Sequence, residues 1–227
     1  MANRTISFTN DEYYHVYNQG VDKRAIFESP TDTNRFIQSM VEFNTIDPIG
    51  SIYEKTYATK NTSANFGGST SKKERLVEII CYCLNPNHFH LLIRQKKDSG
   101  ITKFMHRLST GYTMYFNEKL KRRGSLFQGR FKAKHITDND YLLHVSTYVN
   151  LNNRVHRLGG STSKNVIRSS WRFYEHGIYD PVLSGENSIL DQFKNPKEYA
   201  GFALDNLPQM LEVKKEQKEL KELLLED

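Results

Sequence analysis

The stretch Leu76-Val77-Glu78-Ile79-Ile80-Cys81-Tyr82-Cys83-Leu84-Asn85-Pro86-Asn87-His88-Phe89-His90-Leu91-Leu92-Ile93 decides the fold. From Leu76 to Leu84 it is rich in aliphatic and β-branched residues, the composition of a strand. Asn85-Pro86-Asn87 breaks that run, because proline has no N–H to give a ladder and asparagine favours turns. Phe89 to Ile93 then resumes as a second strand. Side chains at i and i+2 of a strand point the same way, so His88 and His90 share one face and Phe89 takes the other, toward the helices.

Upstream, Tyr13-Tyr14-His15-Val16-Tyr17 reads as a first strand closed by Gly20. Pro30-Thr31-Asp32 supplies a cap, and Phe36, Ile37, Met40 and Val41 recur at helical spacing up to about Phe43. Downstream, Ile101, Phe104, Met105, Leu108, Tyr112, Tyr115, Phe116 and Leu120 fit one helical face, with Gly124 as a stop. Leu126 to Ile136 alternates and predicts a strand; Asp138 or Asn139 caps a further helix through about Asn152. The order β-α-β-β-α-β plus a helix predicts an α+β, ferredoxin-like fold: an antiparallel sheet with helices on one face and an added tyrosine-bearing helix. Beyond Gly159 the pattern weakens to loops and short helices around Ser169 to Tyr174 and Pro196 to Leu204, then a solvated terminal helix from Pro208. The expected organisation is a body of residues 1–158 and a helical extension with an acidic tail, residues 159–227.

The chain has 227 residues, 32 Lys+Arg against 26 Asp+Glu, and a net charge of +6. With 37% hydrophobic and 12% aromatic residues it is too sticky to remain disordered. The mean hydropathy is −0.66 and no apolar run approaches the ~18 residues of a spanning helix, so no membrane association is expected. Residues 1–20 lack the apolar core of a secretory signal, which predicts a cytoplasmic protein, associated with the nucleoid if it handles DNA. Cys81 and Cys83 are too close along a strand for an ordinary disulfide. Gly67-Gly68-Ser69-Thr70-Ser71-Lys72 recurs letter for letter as Gly159-Gly160-Ser161-Thr162-Ser163-Lys164, in a composition that suits flexible surface linkers. Neither copy has phosphate-loop spacing.

Three features carry chemistry. His88 and His90, side by side, can hold one divalent ion; one of them being a hydrogen-bonded surface histidine, or a zinc site completed by Cys81 and Cys83, are the alternatives. Tyr148 and Asn152, at i and i+4 of a helix, would share one face, with His144 a turn earlier. A phenol with an ordinary pKa near 10 is a poor nucleophile without such a metal or a base beside it. Finally, Lys119, Lys121, Arg122, Arg123, Arg130, Lys132 and Lys134 form a one-signed cluster with Phe127 and Phe131 interleaved, extended by Lys103 and Arg107. That is the electrostatic footprint of a nucleic-acid groove.

Four segments, in this order, resemble one family. They are Tyr14-His15-Val16-Tyr17-Asn18-Gln19-Gly20-Val21-Asp22-Lys23-Arg24; Asn85-Pro86-Asn87-His88-Phe89-His90-Leu91-Leu92; Leu126-Phe127-Gln128-Gly129-Arg130-Phe131-Lys132; and Tyr141-Leu142-Leu143 leading to Tyr148-Val149-Asn150-Leu151-Asn152. They resemble the REP-associated tyrosine transposases, relatives of the insertion-sequence-200-like transposases and members of the HUH single-tyrosine nucleases. The resemblance spans about Tyr13 to Val155. It implies a single-stranded DNA endonuclease and strand transferase acting at hairpin or palindromic repeats. By it, Tyr148 is the nucleophile that forms a 5′-phosphotyrosine, and His88, His90 and Asn152 hold Mg²⁺ or Mn²⁺. Lys103, Arg107, Lys121, Arg122, Arg123, Arg130, Lys132 and Lys134 are the candidate DNA contacts. One departure is visible: where family members often follow the asparagine with Pro-Val-Arg-Ala, this chain reads Asn153-Arg154-Val155-His156.

The rival reading is a non-catalytic DNA- or RNA-binding module on the same sheet topology, though no RNP-type signature is present. A metal-dependent hydrolase of small molecules would leave the basic cluster unexplained. The partner is expected to be single-stranded or hairpin DNA, and the protein a monomer or homodimer. From Asp205 to Asp227, seven acidic residues against four lysines give −3, leaving +9 on the rest. The tail is therefore expected to stay off the DNA.

Overall fold

The computed structural model describes residues 6–50, 52, 74–156, 158, 165–183 and 188–223, with side chains through residue 217. Both Gly-Gly-Ser-Thr-Ser-Lys copies, expected to be surface linkers, lie outside the described residues. The elements are β1 (Tyr13–Gln19), α1 (Pro30–Glu42), β2 (Val77–Asn85), β3 (His88–Gln95), α2 (Gly100–Lys119), β4 (Lys132–Ile136), α3 (Asn139–Asn150), α4 (Asn152–Val155), β5 (Arg168–Ser169), α5 (Trp171–His176) and α6 (Pro196–Leu223). The five strands form one sheet in the order β4-β1-β3-β2-β5, every neighbouring pair antiparallel. The first four strands stand in the ferredoxin-like arrangement expected from the sequence, and β5 adds an edge to β2 that the pattern did not reveal.

β3 sits at the centre of the sheet and fixes its two faces. On one, Phe89 meets Phe36 of α1 at 5.2 Å between ring centres, and Phe36 meets Tyr112 of α2 edge-on at 4.9 Å. Alternation along β3 sends His88 and His90 to the opposite face, where α3 lies with Tyr148 5.6 Å from the His90 ring. The core helices thus share one face, and the tyrosine helix covers the other.

Local chemistry explains most boundaries. α1 is capped by Ser29, not by the Pro30-Thr31-Asp32 run itself: Pro30 takes the first helical turn, the Ser29 hydroxyl accepts from the Asp32 amide and the Asp32 carboxylate accepts from the Ser29 amide, a capping box. α2 begins after Ser99, which sits at φ 59 and offers no side-chain cap; the Gln95 side-chain oxygen accepts from the Ile101 amide instead. Its apolar stripe is buried as expected, except that Leu120 lies beyond the helix end and is 37% exposed.

Two expectations need correction. The strand predicted over Leu126 to Ile136 begins only at Lys132. Leu126 and Phe127 look like strand residues because they are apolar, but they are buried core plugs, with Phe127 edge-on to Phe89. Gly129, at φ 70, turns the chain between them and β4. The two helices expected at Pro196 to Leu204 and from Pro208 are one helix, α6, with Pro208 in its interior. Proline there removes one donor from the ladder, and Leu204, whose carbonyl loses its partner, is at the solvent surface. α6 closes on the tyrosine helix through the buried Tyr199, whose hydroxyl meets the Ser146 hydroxyl at 3.0 Å and accepts from Asn150 Nδ2 at 3.0 Å.

Candidate active site

The cleft on the histidine face is lined by Tyr17, Asn18, Gln19, His88, His90, Gln128, Lys132, Tyr148 and His156, and holds about 200 Å³. That is room for a phosphodiester group or a hydrated ion. Four strand and helix ends converge here. β1 brings Tyr17 and Gln19, β3 the two histidines, α3 Tyr148, and the turn after α4 His156.

Hydrogen bonds fix the orientation of both histidines. His88 Nδ1 lies 2.7 Å from Asn87 Oδ1, which only accepts, so Nδ1 carries the proton and Nε2 is left with its lone pair. That lone pair and Asn152 Oδ1 stand 3.1 Å apart, and Asn85 Nδ2 donates to both, at 3.0 and 2.7 Å. His90 Nδ1 is engaged by His15 Nε2 at 2.8 Å, which turns its own Nε2 away from β1 and toward the cleft. Burial pushes the proton affinity of all these rings down, His15 to about 4 and His90 well below its ordinary value, so the cluster is neutral at physiological pH. His156, 5.0 Å from the His88 ring, is likewise pushed down to about 4, chiefly by burial.

Two imidazole nitrogens with their second nitrogens satisfied and an amide oxygen are a donor set that fits one divalent ion. The amide hydrogens of Asn85 now reach the two lone pairs that such an ion would take. Among the described residues, no cluster of three or more His, Cys, Asp or Glu side chains is placed to hold a metal. This counts against the cysteine-histidine zinc alternative. Cys83 sits on the histidine face opposite His90, but burial pushes its thiol up to about 12 and its Sγ is directed at Asn85 Oδ1.

Tyr148 is half-buried, edge-on to both His15 and His90. Burial raises its pKa, and the Asn152 side chain partly offsets that. The pairing of these two residues differs in origin from the i, i+4 expectation: α3 ends at Asn150, Leu151 departs from helical geometry, and Asn152 opens α4. His144, a turn before Tyr148, is exposed and does not line the cleft.

Residues 53–152 match the family model described as Transposase IS200 like. The match spans 100 of the 227 residues and makes this part of the chain similar to the IS200-like transposases. The matched segment contains His88, His90 and Tyr148 and ends on Asn152. The chain is also similar to a solved structure described as "Structure of the REP associates tyrosine transposase bound to a REP hairpin", at 13% identity, covering 82% of this chain and 93% of that chain, with a TM-score of 0.48. No curated protein matches it.

The basic residues are distributed unevenly about the cleft. Lys132 lines it, and Lys134, paired across from His15, lies on the same face with its ammonium 4.8 Å above the Tyr141 ring. Arg130 is exposed on the turn between Gln128 and β4, and Lys121 and Arg123 are exposed further back on that segment. Arg122 instead closes the turn after α2 by donating to Asn117 Oδ1 and the Ser125 carbonyl. Arg107 donates to the Thr45 and Ile46 carbonyls. With Lys103 it belongs to α2, across the sheet from the histidines. Lys119 is bound to the buried Asp32 at 2.6 Å. Among the described residues, no helix is long and apolar enough to cross a membrane.

Two residues of the site have no motif of their own in the sequence. His15 has no spacing signal of its own, yet strand alternation does group it with Tyr17 and Gln19 on one face of β1. His156 was visible only as a departure from the pattern after Asn152.

Proposed function

We propose that this protein is an IS200-like transposase, a single-stranded DNA endonuclease and strand transferase acting beside hairpin or palindromic repeats. The observation that carries the reading is the convergence of Tyr148, His88, His90 and Asn152, from one chain, in a cleft rimmed by Lys132.

His88 Nε2, His90 Nε2 and Asn152 Oδ1 would hold Mg²⁺ or Mn²⁺. When bound, such an ion supplies positive charge that polarises a phosphodiester and lowers the proton affinity of a nearby phenol. The protein does the rest. Lys132 neutralises phosphate charge at the rim, and Gln19 and Gln128, bonded to one another, close the side of the cleft. Tyr148 Oη attacks phosphorus, a P–O bond to Tyr148 forms, and the bond from phosphorus to the upstream 3′ oxygen breaks. The phenol proton leaves to solvent and the 3′ oxygen takes one up. The product is a 5′-phosphotyrosine and a free 3′-OH, and attack by another 3′-OH reverses the step without ATP.

All catalytic groups fall within the body of residues 1–158, and the extension of residues 159–227 supports the tyrosine helix. Because one chain supplies both the histidines and the tyrosine, the proposed functional unit is a monomer with a cis active site, working on the chromosome in the cytoplasm. Incubation with a hairpin oligonucleotide carrying single-stranded flanks and Mn²⁺ should give a covalent protein-DNA adduct that Tyr148→Phe abolishes. An adduct that survives in Tyr148→Phe removes the nucleophile. Chelator-insensitive binding with no cleavage of any strand would instead favour a non-catalytic binding module.

A further inference from the structure

The hairpin that presents the two histidines also presents an asparagine to the same centre. Asn85 closes β2 and pairs across the turn with His88, and Cys83 pairs with His90, so all four side chains share the histidine face of the sheet. Asn85 has no solvent exposure. A buried amide is costly unless its hydrogens and its oxygen find partners. Asn85 Nδ2 donates to His88 Nε2 at 3.0 Å and to Asn152 Oδ1 at 2.7 Å. The partner of its Oδ1 is the Cys83 thiol, a weak donor 3.7 Å away.

Asn85 Nδ2, His88 Nε2 and Asn152 Oδ1 form a triangle with sides of 2.7, 3.0 and 3.1 Å. Adjacent ligands on an octahedral ion with bonds of about 2.1 Å stand about 3.0 Å apart, so the triangle has the size of one octahedral face. Two of its corners are lone pairs, and the third is an amide nitrogen whose hydrogens would face the ion. Half a turn about the Asn85 Cβ–Cγ bond puts Oδ1 at that corner and Nδ2 against the Cys83 sulfur, because the two ends of an amide are nearly equal in size. A thiol is a weak acceptor as well as a weak donor, so it accommodates either orientation. Asn152 points to the same purpose: its Nδ2 is buried with no hydrogen-bond partner among the described residues, while its Oδ1 forms a corner of the triangle. An oxygen aimed there while the donor of the same amide goes unpaired fits a site that gathers ligands for a cation.

We propose that Asn85 is a fourth metal ligand, whose amide turns over so that Oδ1 joins His88 Nε2, His90 Nε2 and Asn152 Oδ1 on the divalent ion. This rests on the functional reading above and adds a residue to its site. With its nitrogen inward, the amide holds two lone pairs at the spacing an ion needs. With its oxygen inward, it supplies the third corner of the same face, and no backbone movement is required.

The test uses the full-length protein and Mn²⁺ alone, with free Mn²⁺ followed by electron paramagnetic resonance, in the native chain, Asn85→Leu and Asn85→Asp. Asn85→Leu keeps the bulk of the side chain and removes both polar ends. Loss of a ligand should weaken Mn²⁺ binding about tenfold or more. If the amide merely stands in the way of the ion, its removal leaves the affinity unchanged or raises it, and that result overturns the proposal. Asn85→Asp is close to the native shape and puts an oxygen at the corner in either orientation, with a charge added. It should tighten binding by about tenfold. An affinity equal to or below the native value in Asn85→Asp overturns the proposal by itself, even where Asn85→Leu does not fold. A native chain that takes up no Mn²⁺ removes this ligand together with the ion site. Mn²⁺ uptake without any covalent DNA adduct sinks the transposase reading alone, and the three affinities still decide the role of Asn85.

Discussion

Asn152 Oδ1 stands 3.1 Å from His88 Nε2 across a break in the helix that carries Tyr148, and Asn85 Nδ2 donates to both atoms. The amide occupies the point where two lone pairs meet, so metal binding requires Asn85 to give way. Asn152→Ala should weaken Mn²⁺ binding by about tenfold or more, while Asn152→Asp, which adds a negative charge at the same point, should tighten it. Electron paramagnetic resonance of free Mn²⁺ during titration reads both. Equal affinities in the three proteins would remove Asn152 from the ligand set.

His15 acts on the same centre without touching it. Its Nε2 holds His90 Nδ1 at 2.8 Å and so fixes the ring that presents Nε2 to the cleft. Outer partners of metal-bound histidines are worth about 10–100-fold in affinity. His15→Phe should cost metal affinity in that range while the stacked ring contact with His90 is kept, and the covalent-adduct rate at saturating Mn²⁺ should fall less than at limiting Mn²⁺.

The depressed histidines make stability depend on pH in a definite direction. His15 and His156 titrate near 4 in the folded chain and His90 also lies well below its ordinary value, against about 6.5 when unfolded. Above about 6.5 both states are neutral and the histidines contribute nothing to the pH dependence. Between about 6.5 and 4 the unfolded chain takes up protons that the folded chain refuses, so stability falls as pH falls. Thermal melts in chelator should lose midpoint through this window, and His156→Asn should flatten the slope. A midpoint constant from pH 7 to 5 would contradict the buried neutral cluster.

The central part of the fold was legible because strand alternation and helical spacing report burial directly. His88, Phe89 and His90 could be assigned to faces from their order alone, and the apolar stripe of α2 named its own buried side. Leu126 and Phe127 misled because an apolar residue in a core plug looks like one in a strand; what separates them is Gly129 at positive φ, a turn signal inside the run. Pro208 misled for the opposite reason, since a helix held by packing on both sides of a proline tolerates the lost bond. The site was half legible. The i, i+4 reasoning fails for Tyr148 and Asn152, since α3 ends at Asn150 and Asn152 opens α4, and His15 reaches His90 only through a tertiary contact between strands far apart in the chain.

The buried network that seats the tyrosine helix yields the last prediction. Tyr199 of α6 meets Ser146 and Asn150 of α3, Asn150 Oδ1 accepts from Ser170 Oγ at 2.7 Å, and Ser170 Oγ accepts from the Tyr82 amide of β2 at 2.9 Å. The sheet, the tyrosine helix and the terminal helix are thus joined through side chains with almost no solvent exposure. Tyr199→Phe keeps the ring, which packs at 4.7 Å on Tyr174, and removes only the hydroxyl. Ser146 retains the Leu143 carbonyl as acceptor, but Asn150 Nδ2 loses its acceptor in a place water does not reach. The cost should be about 1–3 kcal/mol, a drop in Tm of about 2–4 °C for each kcal/mol in a chain of this size. Because the chain turns from α3 into the Asn152 turn just after Asn150, the loss should also slow adduct formation at saturating DNA and metal more than it weakens DNA binding. A Tm within a degree of the unsubstituted protein would mean that the network is satisfied some other way and that α6 does not hold Tyr148 in place.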